Sequence, residues 1–117
     1  MQYLLMIYED DSIYARPDGE AILGDVLARH MALGQALVAA GVPFTGERLQ
    51  PAATATTIRW NDGAHVLHDG PFAESHEELG GYYLITVDDL DQALAWARQI
   101  PVPGKGSIEV RPVMAMG

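Results

Sequence analysis

The sequence predicts an α+β domain in which two helices cover one face of a β-sheet. Three observations carry that prediction. The elements read along the chain as β-α-β-β-β-α-β, by the periodicity of apolar residues. Asn61-Asp62-Gly63 marks an antiparallel hairpin of the Asp-Gly type. A chain of 117 residues, 49% of them apolar, fits one domain with its own core, here 1–117.

The elements follow in order. Tyr3 to Tyr8, YLLMIY, is a nearly continuous apolar run and predicts a central strand. A polar loop with Pro17 and Gly19 comes next. From about Glu20 to Ala40 the apolar positions step by three and four, so Leu23, Val26, His30, Leu33 and Leu37 share one helical stripe. Gly41 stands at the C-terminal cap and Pro43 blocks continuation. FTGERLQP (44–51) reads as a short extended connection. Thr54 to Trp60, TATTIRW, is β-branched and aromatic and predicts a strand, with AHVLH (64–68) as its returning arm. Tyr82 to Val87 is the next strand. Asp88 or Asp89 caps a second helix that runs to about Gln99, with Leu90, Ala93, Leu94 and Ala97 inward. In the last strand Ile108 and Val110 alternate with Glu109 and Arg111, and Pro112 marks an end or an edge.

If one hairpin arm is an insertion, the order reduces to β-α-β-β-α-β, the split pattern of a ferredoxin-like fold. Both helices then lie on one sheet face. The other face stays bare and apolar, which predicts a homodimer through the sheet face.

Composition excludes several classes. The net charge is −9 and Lys105 is the single lysine, so no cation cluster exists to neutralise phosphates and direct nucleic-acid binding is not expected. The chain has no cysteine, which removes disulfides, thiolate metal sites and thiol nucleophiles and suits a reducing cytoplasm. The apolar run near Met1 is too short for a signal segment or a membrane span. There is no phosphate-binding glycine loop or G-x-S-x-G elbow, and no cofactor is expected.

Among candidate site residues, His30 is the most informative. It takes a hydrophobe's place in the buried stripe of the first helix, where an imidazole needs a partner or a pocket. A satisfied structural histidine is the commoner outcome at such a position; a general acid/base at the floor of a cleft is the functional one. His65, His68, Asp69 and His76 do not have metal spacing: His65 and His68, three apart on a strand, point to opposite faces. In HDGPFAESHEELGG (68–81), Asp69-Gly70-Pro71 makes a turn, Phe72 is expected to anchor into the core, and Ser75 with Glu78 fits a capping box over one helical turn. Asp69 sits at a strand end on that turn, a favourable place for a functional carboxylate.

The stretch HDGPFAESHEELGGYYLI (68–85) resembles the DGPF-domain proteins, placed within the wider YCII-related family. The segments 39–60, 90–101 and 108–113 extend the resemblance over essentially the whole chain. The resemblance implies a ferredoxin-like domain that dimerises through its sheets as a dimeric α/β barrel. It also implies a family histidine, matched by His30 ahead of Gly41, and a family aspartate in an Asp-Pro pair after the second helix. At that place this sequence reads Ile100-Pro101, so Asp69 is the remaining candidate for the carboxylate. His76 stands where the hallmark has lysine. Two readings stay open. One is a cleft that binds a small organic molecule or performs cofactor-independent acid/base chemistry, such as an elimination, with His30 and Asp69. The other is a regulatory module that contacts a sigma factor or another protein, as the fusion of such domains to sigma-factor modules implies.

Overall fold

The computed structural model describes residues 1–116. The strands are β1 Gln2–Glu9, β2 Phe44–Arg48, β3 Thr56–Asn61, β4 Ala64–Asp69, β5 Glu78–Thr86 and β6 Gly106–Pro112. The helices are α1 Gly19–Ala39 and α2 Leu90–Ala97, and short 3-10 turns cover Asp11–Ala15 and Ala52–Thr54. Four strands form one antiparallel sheet in the order β2-β5-β1-β6. Counted without the hairpin, that is the order of a ferredoxin-like α+β fold, as the sequence predicts.

Two elements differ from the sequence reading. FTGER is not a connection but β2, paired with β5 from Phe44↔Ile85 to Arg48↔Gly81. Both arms of the Asp-Gly hairpin, not one, are the insertion: β3 and β4 pair only with each other and form a separate two-stranded sheet. The reason is competition for β5. A strand as polar as FTGER has weak intrinsic β character, but it lies where the chain leaving α1 returns beside β5, and pairing decides strand identity more than propensity does.

The core lies between the sheet and the helices. Alternation along β1 sends Tyr3, Leu5, Ile7 and Glu9 inward. They meet Tyr83, Ile85 and Val87 from the fifth strand and its end, Leu33 and Leu37 from α1, and Ala93, Ala97 and Ile100 from α2 and its exit. Leu90, expected inward, is exposed; Ala93 and Ala97 carry the contact of α2 instead. Asp89 caps α2, its carboxylate accepting the Gln92 N–H at 2.9 Å. By length and composition α1 is apolar enough to cross a bilayer, yet Val26, Leu33 and Leu37 are buried along the stripe that packs on the sheet. It ends as expected at Gly41, whose φ of 71° lets its N–H reach Val38 O while Val42 N–H reaches Leu37 O.

The opposite sheet face is uncovered; its two central strands are apolar there, and the flanking strands add Thr45, Glu47, Glu109 and Arg111. Leu4, Met6 and Tyr8 from β1 stand beside Leu84, Tyr82 and Leu79 from β5, all partly exposed or more. The hairpin projects from this body with Ile58, Trp60, Val66 and Leu67 exposed. The radius of gyration, 16.0 Å, therefore exceeds the ~13 Å of a compact chain of this length. The loop after β4 departs from expectation as well. Phe72 is 73% exposed instead of anchored, because the hairpin carries it away from the core. No helical turn forms at Ser75, although its N–H does reach Glu78 Oε1 at 3.0 Å.

Candidate functional site

A polar cluster lies on the inner sheet face, at the end where β1, β2 and β5 pass under the first half of α1. Its first member is Glu9, 1% exposed and in register with the buried positions of β1. A carboxylate taken this far from water needs a cation and hydrogen-bond donors. Both are present. Arg48 Nη2 lies 2.6 Å from Glu9 Oε1, and the Tyr14 hydroxyl donates to Oε2 at 2.9 Å. The Arg48 guanidinium also sits over the Tyr14 ring, 4.9 Å from its centroid. Burial and the neighbouring Glu9 carboxylate push the Tyr14 hydroxyl up to about 12, so it stays a proton donor at neutral pH.

The β1–β5 pairing makes room for this carboxylate. The register slips between Ile7↔Gly81 and Tyr8↔Leu79, leaving Gly80 as the extra residue of a bulge. A Cβ at Gly80 would lie 2.5 Å from Glu9 Oε1, so a side chain there would push the Glu9 carboxylate from its place.

His30 is the second centre. Its stripe on α1 turns it toward the sheet, as the spacing predicts, and Nδ1 lies 2.6 Å from the Tyr83 hydroxyl. The two rings stack at 5.7 Å between centroids. Burial, reinforced by the charge of Arg48, holds the His30 imidazole below its usual range, and burial pushes Tyr83 up. Both groups are therefore neutral at pH 7. The imidazole tautomer sets which of Nδ1 and the Tyr83 hydroxyl donates in this contact.

Among the described residues two buried side-chain polar atoms remain without partners, His30 Nε2 and Arg48 Nη1. Their side chains line the same cavity of about 130 Å³, together with Ile7, Gly46, Gly81 and Tyr83. A larger cleft of about 370 Å³ shares Arg48 and Leu27 with it and runs outward past Leu23, Leu49, Leu79 and Tyr14. An apolar cleft that converges on a few polar groups at its inner end is the usual form of a small-molecule site.

The sequence-predicted residues are not brought together. His30 lies in the cluster. Asp69 closes β4 opposite Thr56, is exposed, and shares neither a hydrogen bond with His30 nor a wall of its cavity. The partner that orients His30 is Tyr83. Glu9, Tyr14, Arg48 and Tyr83 are the functional candidates that sequence reasoning missed. One signal was available: two-residue alternation puts Glu9 on the side of Tyr3, Leu5 and Ile7. Arg48 was not accessible in this way, because FTGER was not read as a strand.

The lowered His30 value has a consequence for stability. The unfolded chain protonates this residue near pH 6.5, before the folded one does. Its contribution is therefore fully present above about pH 6.5 and is lost as the pH falls from there toward the lower folded value. Urea midpoints measured at pH 7.5 and 5.5 are expected to differ less in His30→Gln than in the unaltered protein. An equal drop in both would contradict a neutral, buried imidazole.

Comparison with known proteins adds the following. A family model described as the YCII-related domain matches residues 1–117. A protein of Rhizobium meliloti (strain 1021), Uncharacterized protein R00369, is 36% identical over 118 residues, covering 97% of this chain and 92% of that protein.

Proposed function

The chain belongs to the YCII-related domain family, and from that premise we propose that it is a cytoplasmic, homodimeric protein that binds a small organic molecule in the cleft beneath α1 and moves a proton there through His30, without a cofactor. The observation that carries this reading is the state of His30. Its Nδ1 is held by Tyr83 at 2.6 Å, its Nε2 is buried with no partner among the described residues, and its side chain is one of those that line a cavity. Most buried side-chain polar atoms have a hydrogen-bond partner, so an unpaired imidazole nitrogen supports a functional role over a purely structural one. Tyr83 orients the ring, and Nε2 gives or accepts the proton according to which tautomer the Tyr83 hydrogen bond selects. Asp69 has no part in this chemistry within one protomer.

The dimer is supported by two features. The Leu4, Met6, Tyr82 and Leu84 face is uncovered, and a lone two-stranded hairpin is marginally stable in water unless it packs on something. A second copy of the chain supplies cover for both.

A thermal-shift screen of small aromatic and carbonyl compounds tests the reading. At least one compound is expected to raise the melting temperature of the unaltered protein, and the shift should vanish in His30→Ala. A compound that is turned over equally well by His30→Ala would remove the acid/base assignment. The exposed Ile58, Trp60, Val66 and Leu67 favour a second reading, a regulatory module in contact with another protein. That reading prevails if a pull-down recovers a sigma factor and no compound shifts the melting point.

A further inference from the structure

A further cleft lies apart from the His30 cavity and shares none of its lining residues. It holds about 550 Å³, within the range of roughly 300–1,000 Å³ common for small-molecule sites. Tyr8 and Leu79 line it from the uncovered side of the main sheet, near the end of the β1–β5 pairing. Its other walls come from the segment between β2 and β3 and from the loop that leaves β4. Leu49, Pro51, Ala55, Pro71 and Phe72 make those walls chiefly apolar. The proton chemistry of His30 makes no use of this loop.

The walls are tied to one another. The Gly70 N–H donates to Ala55 O at 2.7 Å, and the Thr57 hydroxyl donates to Gly70 O at 2.7 Å. Asp11 Oδ2 accepts the Ala52 N–H at 3.0 Å, and Arg59 donates to Phe72 O. The cleft is thus built by the chain itself, and the exposed Phe72 belongs to its wall. A wall fixed in advance lowers the ordering cost of binding.

The polar groups of the wall are mostly acceptors. The hydroxyls of Thr54 and Thr57 donate to Pro51 O and Gly70 O, and that of Ser75 donates to Glu77 O. A carbonyl can only accept, so these hydroxyls have spent their protons and keep only lone pairs. The carboxylates of Glu77 and Glu78 accept from the Ser107 hydroxyl and the Ser75 N–H, both neutral donors. Neither carboxylate has an ion-pair partner among the described residues. No lysine, arginine or histidine lines the cleft. Arg59, which is not a lining residue, sets one positive charge against these two negative ones. The Gln50 amide and the Tyr8 hydroxyl are neutral donors. The ring faces of Tyr8 and Phe72 add a further attraction for cations. An anion meets like charge here, on a chain that carries −9. A protonated amine on an apolar body suits both the acceptors and the apolar wall.

We infer that this cleft binds an apolar primary amine in its ammonium form. The apolar body lies against Leu49, Pro71, Phe72 and Leu79, and the ammonium stands beside Glu77 and Glu78.

Three probes of one shape test this: phenethylamine, phenethyl alcohol and hydrocinnamate, each titrated into the full-length protein at neutral pH by calorimetry. Methyl resonances of Ala52, Ala55 and Ala73 mark this cleft, and those of Ile7 mark the His30 cavity. The amine is expected to bind about tenfold more tightly than the carboxylate and about threefold more tightly than the alcohol. Its affinity should fall as salt is raised, and it should move the three alanine methyls and leave Ile7 in place. Glu77→Gln combined with Glu78→Gln keeps an acceptor oxygen for both hydrogen bonds and should bring the amine down to the affinity of the alcohol. Alcohol or carboxylate binding as tightly as the amine would overturn the inference. So would shifts confined to Ile7, which put the amine in the other cavity. An amine that binds only as an assembled dimer comes apart, seen by light scattering, would give the cleft to a second copy of the chain and overturn the inference too. If no probe moves the alanine methyls, this site fails while the His30 reading, with its separate cavity, stands.

Discussion

Glu9→Gln is expected to lower the stability of the fold by about 3 kcal/mol, the lower end of the cost of breaking a buried ion pair. The substitution is nearly isosteric, so no cavity forms. What changes is Arg48. Its guanidinium, 2.6 Å from Glu9 and in a side chain only 23% exposed, would remain charged with a neutral amide as neighbour. The Tyr14 hydroxyl would still find an acceptor in the glutamine oxygen, so the loss falls on the charge and not on the hydrogen bond. For a domain of this size the thermal midpoint should drop by about 10 °C. Urea unfolding should show a lower midpoint with an unchanged slope. Glu9→Gln combined with Arg48→Met is expected to recover part of the loss, because the orphaned charge is then gone. A single variant within about 0.5 kcal/mol of the unaltered protein would mean that the pair contributes nothing to folding, by the usual range of surface substitutions.

Met6→Glu on the uncovered sheet face is expected to dissociate the proposed dimer while leaving each protomer folded. Met6 lies at the centre of that face, opposite Tyr82 on β5 and Glu109 on β6. In a single protomer the position is partly exposed, so a carboxylate there stays hydrated. In a two-fold dimer packed through this face, each interface would bury two new carboxylates near one another, with Glu109 beside them. A penalty of about 4 kcal/mol or more raises the dissociation constant about a thousandfold. Light scattering at micromolar concentration should report a dimer for the unaltered chain and a monomer for Met6→Glu, with the same far-ultraviolet circular dichroism. A dimer that survives the substitution would place the interface elsewhere, and an unaltered chain that is monomeric at these concentrations would remove the dimer altogether.

The site was legible only in part, and the reason can be seen residue by residue. His30 stood out because a 3.6-residue period is local: Val26, Leu33 and Leu37 place it on a buried face whatever the rest of the chain does. Asp69 stood out for a local reason too, its place on a turn, but the hairpin that carries it belongs to a separate sheet. Tyr83 read as one aromatic in an apolar strand. Its role depends on lying 53 residues from His30 along the chain and 2.6 Å from it in space. Glu9 and Arg48, 39 residues apart, meet because β1 and β2 both flank β5.

The sequence by itself determined what each segment becomes where the pattern is strong: the apolar run of β1, the periodic stripe of α1, an aspartate cap at 88 or 89 for α2, the Asp-Gly hairpin, and with them the α+β class. These depend on side-chain periodicity and on backbone preferences that act over a few residues. The tertiary structure alone decided that FTGER is a strand, that both hairpin arms leave the main sheet, that Phe72 faces solvent, and that Glu9, Arg48, Tyr14, His30 and Tyr83 form one cluster. Each of these rests on which distant segments pair and pack, and for the strand residues on register. A slip of one residue would send Glu9, Arg48 or Tyr83 to the opposite sheet face.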